Sequence, residues 1–389
     1  MFRLAFWLAV VTAVPACGPP AKPVKHAKHD QPPPGADQLA QARDAVKNGD
    51  IDSADQLYAQ AYDAGKSFDV LAERVMMLIR AGRAQKAADT AKPYYDANMT
   101  EIKGYNLYAE ALIAQEKGPD ALEVAKQMIG MNAADPSGHD KMGRALLLID
   151  KPDDGLVELR KAVQLAPDDE QYHVSLGTAL VKAGKNEDAE AEFRLAIKAA
   201  PNDVDAVVSL GSAQRSAGHN DDALATLKKA IELDPRSGRA YFELGLLYNR
   251  MDGRQADAEQ SLSQAVQLSP NDSLFWYAYG EIFRVSERFD EAINAYKKAV
   301  ALDPPYPKAL TKLGTLLLDK KQYDEAEIVL TQGIRREPKN ASNYFPLGKL
   351  YAAEKKKAQA IEAFDKFLEL APKTDPDRAI ARHDRDALH

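Results

Sequence analysis

The sequence predicts an all-helical stack of repeated helix pairs, and three observations carry that prediction. The first is a ruler: Gly143, Gly177, Gly211, Gly245, Gly280, Gly314 and Gly348 stand 34 residues apart, with one step of 35. The second is a proline following each of them at 24 residues, allowing for the same insertion: Pro167, Pro201, Pro235, Pro270, Pro304, Pro338 and Pro372. The third is composition. Hydrophobic residues make up 45% of the 389 and aromatics only 7%, which favours alanine-rich helix packing over a β-sandwich.

A small residue also lies twelve positions after each glycine, allowing for the same insertion, at Gly155, Ala189, Ala223, Ala258, Ala292, Ala326 and Ala360. The ladder runs backwards through Ala121, Ala87 and Ala54, which gives ten units between about residues 35 and 374. Within one unit, Leu176, Gly177 and Leu180 share a face of a first helix, and Ala189, Phe193 and Ala196 share a face of a second. Gly177 and Ala189 have almost no side chain, so the two helices can approach closely, and Phe193 fills the space beside them. Each proline ends a unit because it lacks the backbone donor that a continuing helix needs. Two residues after most of these prolines stands a helix-capping residue: Asp169, Asp203, Ser237, Asp272 or Asn340. Tyr306 is the exception, and there Pro307 can serve as the first helical residue.

The segment SLGTALVKAGKNEDAEAEFRLAIKAAPND, from Ser175 to Asp203, resembles the tetratricopeptide repeat, a pair of antiparallel helices. The resemblance covers nearly the whole chain beyond the N-terminal tract. It implies a right-handed superhelical solenoid of about ten helix-turn-helix units. Residues 35–135 are expected to hold three degenerate units, with Ala91 and Ala125 where a bulky residue belongs, and residues 136–374 seven well-registered ones. Residues 375–389, opening with Asp375 before Pro376, are expected to form a charged helix that caps the exposed end of the stack.

The first residues, MFRLAFWLAVVTAVPAC, place Arg3 before an apolar run from Leu4 to Ala16. That run is too short to span a bilayer as a helix but suits an export signal. Val14 and Ala16 before Cys17 resemble the lipobox of bacterial lipoproteins. The resemblance implies removal of residues 1–16, a lipid anchor on Cys17 and a freed amine that is acylated. With Gly18 next, it implies a periplasm-facing protein at the outer membrane of a Gram-negative bacterium. The alternative is an ordinary secretory signal, which would release a soluble periplasmic or secreted protein. Residues 17–38 contain six prolines and no apolar periodicity, the composition of a disordered tether. Lys25, His26, Lys28 and His29 read as part of that solvated spacer.

Composition also excludes some functions. Lys plus Arg total 51 against 58 Asp plus Glu, a net charge of −7, so nothing draws the whole chain to nucleic acid. A single cysteine forbids an internal disulfide and a Cys-rich zinc site. No phosphate-cradling, H-E-x-x-H or G-x-S-x-G motif occurs, so neither catalytic activity nor a cofactor or metal is expected. His139 and His173, four residues before their glycines, read as interface residues. Asp153–Asp154 and Asp221–Asp222 are expected in the turns.

In the family, first helices line a concave groove that holds a peptide or a helix of another protein. Carried onto this chain, the groove positions are Arg215, Arg239, Phe242, Arg250, Tyr277, Arg284, Lys308, Lys312, Phe345 and Lys349. That set suits an acidic or extended peptide. Asp205, Glu243, Glu281 and Asp319 occupy the same set of positions and dilute the positive bias. The functional expectation is a non-enzymatic, membrane-tethered scaffold that recruits or assembles envelope proteins. The alternative is an accessory or regulatory subunit of an envelope enzyme or polysaccharide export complex.

Overall fold

Each repeat unit spans two helices because its proline, cap and glycine fall where the chain has to stop, restart and pack closely. The computed structural model describes residues 33–302 and 305–388. The expected signal, Cys17, Lys25, His26, Lys28, His29 and Pro304 lie outside the described residues. In chain order the helices are α1 (Ala36–Lys47), α2 (Ile51–Gly65), α3 (Phe68–Arg80), α4 (Ala84–Ala97), α5 (Ile102–Ala114), α6 (Gly118–Met131) and α7 (Pro136–Leu148). Next come α8 (Pro152–Leu165), α9 (Glu170–Lys182), α10 (Asn186–Ala199), α11 (Val204–Ala217), α12 (Asn220–Leu233), α13 (Gly238–Asn249) and α14 (Gln255–Leu268). The last are α15 (Ser273–Val285), α16 (Phe289–Ala301), α17 (Pro307–Asp319), α18 (Tyr323–Arg336), α19 (Tyr344–Ala353), α20 (Lys357–Leu370) and α21 (Asp377–Asp386). No strand occurs among the described residues.

The chain divides into two compact units, one ending at Thr90 and the other beginning at Ala91. In the first, α1 packs on α2 and α2 on α3, around Ala42, Ala54, Tyr58, Leu71 and Leu78. Gly35 caps α1 at φ 85°, and a Cβ there would come within 2.6 Å of the Ala61 carbonyl oxygen, so only glycine fits. This corrects the expected end of the tether: Ala36, Asp37 and Gln38 already form the first turn of α1. Arg74 and Lys86 both hold the buried Asp55 carboxylate, at 2.6 Å each, and keep it below its ordinary range although burial pushes it up.

In the second unit every odd helix from α5 to α19 packs on the even helix after it, and that helix packs on the next odd one. The capping residues act as their positions dictate. Asp169, Asp203, Ser237, Asp272 and Asn340 each accept a bond from a backbone amide two or three residues on, at 2.7–3.3 Å. Pro307 opens α17, as expected. Asp153, Asp154, Asp221 and Asp222 sit within the first turns of α8 and α12, not in the turns before them, where the helix dipole favours negative charge. Asp375 accepts the Asp377 amide at 2.9 Å ahead of α21, and Arg378 donates to the Leu368 and Ala371 carbonyls at the end of α20. Those are carbonyls a helix end leaves unpaired, so α21 closes the stack chemically as well as sterically.

A second regularity sits four residues before the glycine position. His139 and His173 place a ring nitrogen, Trp276 its indole N–H and Tyr344 its hydroxyl 2.8–3.1 Å from the backbone carbonyl six residues earlier, and the Tyr105 hydroxyl does the same at 3.0 Å. Each ring therefore ties the start of its helix to the turn that leads into it.

Candidate functional site

The face built from the first helices of the later repeats carries the expected groove residues, and the structure sorts them. Between α11 and α13, Arg215 reaches the Glu243 carboxylate at 3.0 Å. Arg239 returns across the same seam to Asp205 at 3.4 Å and to the Ser209 hydroxyl at 3.1 Å. Arg250 donates to the Arg215 carbonyl at 2.6 Å. These three arginines stitch neighbouring repeats together, and two of the acids expected to dilute the positive charge, Asp205 and Glu243, are their partners.

Phe242 is not a surface residue. It is buried, 6% exposed, with its ring stacked on Phe275 at 4.4 Å and 15°. The next first helix covers it, which is why a position beside the packing set is itself part of the core.

On α15, Arg284 grips Glu281 with two bonds, at 3.1 and 2.9 Å. The Tyr296 hydroxyl of α16 donates to the same carboxylate. Burial pushes the Glu281 carboxyl up, but Arg284, Tyr296 and Lys312 together hold it below its ordinary range. Tyr277 is half-buried beside this cluster, against Tyr306 at 4.6 Å and Tyr296 at 5.9 Å. Burial foremost, with Glu281 behind it, pushes the Tyr277 phenol up to about 12.

On α17, Lys308 is exposed and Lys312 half-exposed. On α19, Phe345 packs on Phe367 at 5.1 Å, and the Lys349 ammonium lies 5.6 Å above the Phe345 ring. The Thr311 hydroxyl donates to the buried Asn343 at 2.6 Å, joining α17 to the start of α19.

The densest charge in the second unit lies elsewhere, in a cluster that sequence reasoning missed. Lys141 of α7 is 2% exposed and bonds Glu110 of α5 at 2.8 Å and Asp140 at 2.9 Å. Arg144 forks onto both Glu110 oxygens at 2.7 and 2.8 Å. The four charges cancel. The signal was present, because Glu110 and Arg144 are 34 residues apart and equal positions of successive repeats are neighbours.

His139 and His173 are interface residues, as expected. Their Nδ1 atoms lie 2.6 and 2.7 Å from Glu158 and Glu192 on the second helix of the same repeat. Among the described residues, no group of three or more His, Cys, Asp and Glu is arranged to hold a metal ion.

Comparison with known proteins agrees with this architecture. The family model described as "Tetratricopeptide repeat" matches residues 39–101, 141–204 and 208–273. A second model, "Cytochrome c-type biogenesis protein H TPR domain", matches residues 256–378. Type IV pilus assembly protein PilF of Pseudomonas aeruginosa is 30% identical over 133 residues, which is 34% of this chain and 52% of that protein. Anaphase-promoting complex subunit 3 of Schizosaccharomyces pombe is 28% identical over 129 residues, 33% of this chain and 19% of that protein. The matched stretches thus span from about a fifth to about half the length of these relatives. Among solved structures, yeast Tom70 superposes with a TM-score of 0.54 at 15% identity, covering 91% of this chain and 95% of that one, a likeness of fold. With its helix pairs, its 34-residue spacing and these matches, the chain belongs to the tetratricopeptide repeat family.

Proposed function

We propose that this protein is a non-enzymatic scaffold of the cell envelope, held at the outer membrane by a lipid on Cys17 and facing the periplasm. It recruits or assembles other envelope proteins through the first-helix face of its later repeats. The observation that carries the reading is the chemistry of that face from α11 to α19. Arginines are fixed there by bonds between repeats and aromatic rings by packing on one another, which is how a surface binds a partner without first ordering its own side chains. Similarity to a pilus assembly protein and to the repeat domain of a cytochrome c-type biogenesis protein supports a role in assembly.

Two measurements test it. A photo-crosslinking residue at Lys308, on the first-helix face, is expected to trap a defined envelope protein in cells. The same residue at Ile328, 68% exposed on the second helix α18, is expected to trap none. Capture from Ile328 alone would remove the groove. Intact-mass analysis of the mature protein is expected to show an acylated Cys17 as its first residue, and an unmodified thiol would overturn the anchor.

A further inference from the structure

We infer that the partner segment lying over α15, α17 and α19 is an extended acidic stretch, with its carboxylates on Lys308, Lys312 and Lys349. This rests on the scaffold reading above and adds the chemistry of what is bound.

The cations of the first-helix face are not all partnered in the same way. In α7 to α15 they come with acids: Lys141 and Arg144 with Glu110, Arg215 with Glu243, Arg239 with Asp205, and Arg284 with Glu281. The pattern stops after α15. Lys308, Lys312 and Lys349 have no carboxylate within ion-pair distance among the described residues. Lys312 is near Glu281, but the oxygens of that carboxylate already take two bonds from Arg284 and one from Tyr296. Asp319, at the far end of α17, is eleven residues from Lys308, about 16 Å along the helix axis.

These lysines are also placed, not scattered. Lys308 and Lys312 are four apart on α17 and so share a face. The bond from Thr311, between them, to the buried Asn343 fixes that face relative to Phe345 and Lys349 on α19. Asn343 fits there because Gly333 leaves room: a Cβ at Gly333 would come within 2.7 Å of its amide oxygen. Three cations thus stand beside half-exposed Tyr306 and Phe345, which offer an extended chain apolar contact between its carboxylates. A protein segment fits better than a nucleic acid, because the chain carries a net charge of −7 and the groove arginines Arg215, Arg239 and Arg284 are already paired with acids.

The test uses the full chain and a synthetic peptide of about twelve residues, rich in Asp and Glu with two leucines. Its control is the same peptide with every acid changed to its amide. The acidic peptide is expected to bind about tenfold more tightly than the amide control, as three exposed pairs would give, and to weaken as salt rises. The triple variant Lys308→Glu, Lys312→Glu, Lys349→Glu is expected to erase that preference. Reversal of the exposed Lys228 and Lys229 on the second helix α12 is expected to leave it intact. If the triple reversal unfolds the protein, the Lys→Gln triple reads the same difference. Equal affinity for the two peptides, or tighter binding of single-stranded DNA through the same lysines, would overturn the inference. In the crosslinking experiment, a partner trapped at Lys308 through a segment without excess acid would sink this inference and leave the scaffold standing. No capture at all would sink both.

Discussion

Lys141→Met is expected to lower stability by about 3–5 kcal/mol at neutral pH, because it leaves the two buried carboxylates Glu110 and Asp140 with a single counter-charge, Arg144. Lys141 is 2% exposed and Asp140 wholly buried, and one Asp140 carboxylate oxygen already has no hydrogen-bond partner. Burial alone would push the Glu110 carboxyl up. Lys141 and Arg144 overcome that and hold it well below the carboxylate range. The sign of the pH dependence follows. A carboxyl depressed in the folded state contributes stability above its unfolded value, about 4.3, and that contribution is lost as pH falls through the lower folded value. The wild-type cluster is therefore expected to be fully stabilising at pH 7 and to weaken in acid. In Lys141→Met, Glu110 can protonate earlier, so the gap between variant and wild type should narrow below about pH 4. Urea unfolding at neutral and acidic pH, with hydrogen exchange on α5 and α7, measures both. Replacing all four charges together by Leu and Met of similar volume is expected to be far milder, since it leaves no charge stranded. A cost below about 1 kcal/mol for Lys141→Met would mean that water reaches the cluster.

The contrast shows what was legible in the sequence and what was not. Caps and breaks act through the local backbone, so Asp169, Asp203, Ser237, Asp272 and Asn340 could be placed by counting from a proline. Pairing across repeats was legible in principle where partners differ by one full repeat, as Glu110–Arg144 and Asp205–Arg239 do. It was hidden where they do not: Arg215 and Glu243 are 28 apart, and only the crossing of α11 and α13 brings them together. Phe242 misled for the same reason, since the ring that buries it comes from the next repeat.

The early repeats looked degenerate because the steric rule is kept while the letters change. Small against large survives at Ala42 and Tyr58, both buried in the first unit. Ala109 and Ala125, at the glycine and bulky positions of α5 and α6, are both buried, so there two small residues stand where a small and a large one are expected. Complementary volume is a property of the pair, and a position-by-position pattern does not register it.

Gly143→Ala is the second large effect, an expected loss of about 2–4 kcal/mol, out of proportion to one methyl group. A Cβ at Gly143 would lie 2.6 Å from the Leu159 side chain and 2.8 Å from the Gly155 carbonyl oxygen. A side chain can turn away, but the backbone of α8 moves only if the whole helix moves. Gly155 is its mirror image, with a Cβ there 2.9 Å from the Gly143 carbonyl oxygen. At Gly177 the nearest obstacle is instead the ring of Phe193, at 2.8 Å. Gly177→Ala should therefore be partly rescued by Phe193→Ala, whereas Leu159→Ala should not rescue Gly143→Ala, because the carbonyl stays. Gly130, near the end of α6 with nothing within 4 Å, supplies the opposite sign. Gly130→Ala is expected to stabilise by about 0.5–1 kcal/mol, the helix preference of alanine with no steric cost. Denaturant midpoints for the three single variants and the two doubles decide the matter. If Leu159→Ala restores Gly143→Ala, side-chain crowding sets the distance between α7 and α8. If it does not, α7 and α8 touch backbone to backbone at Gly143 and Gly155, and the stack has no slack there.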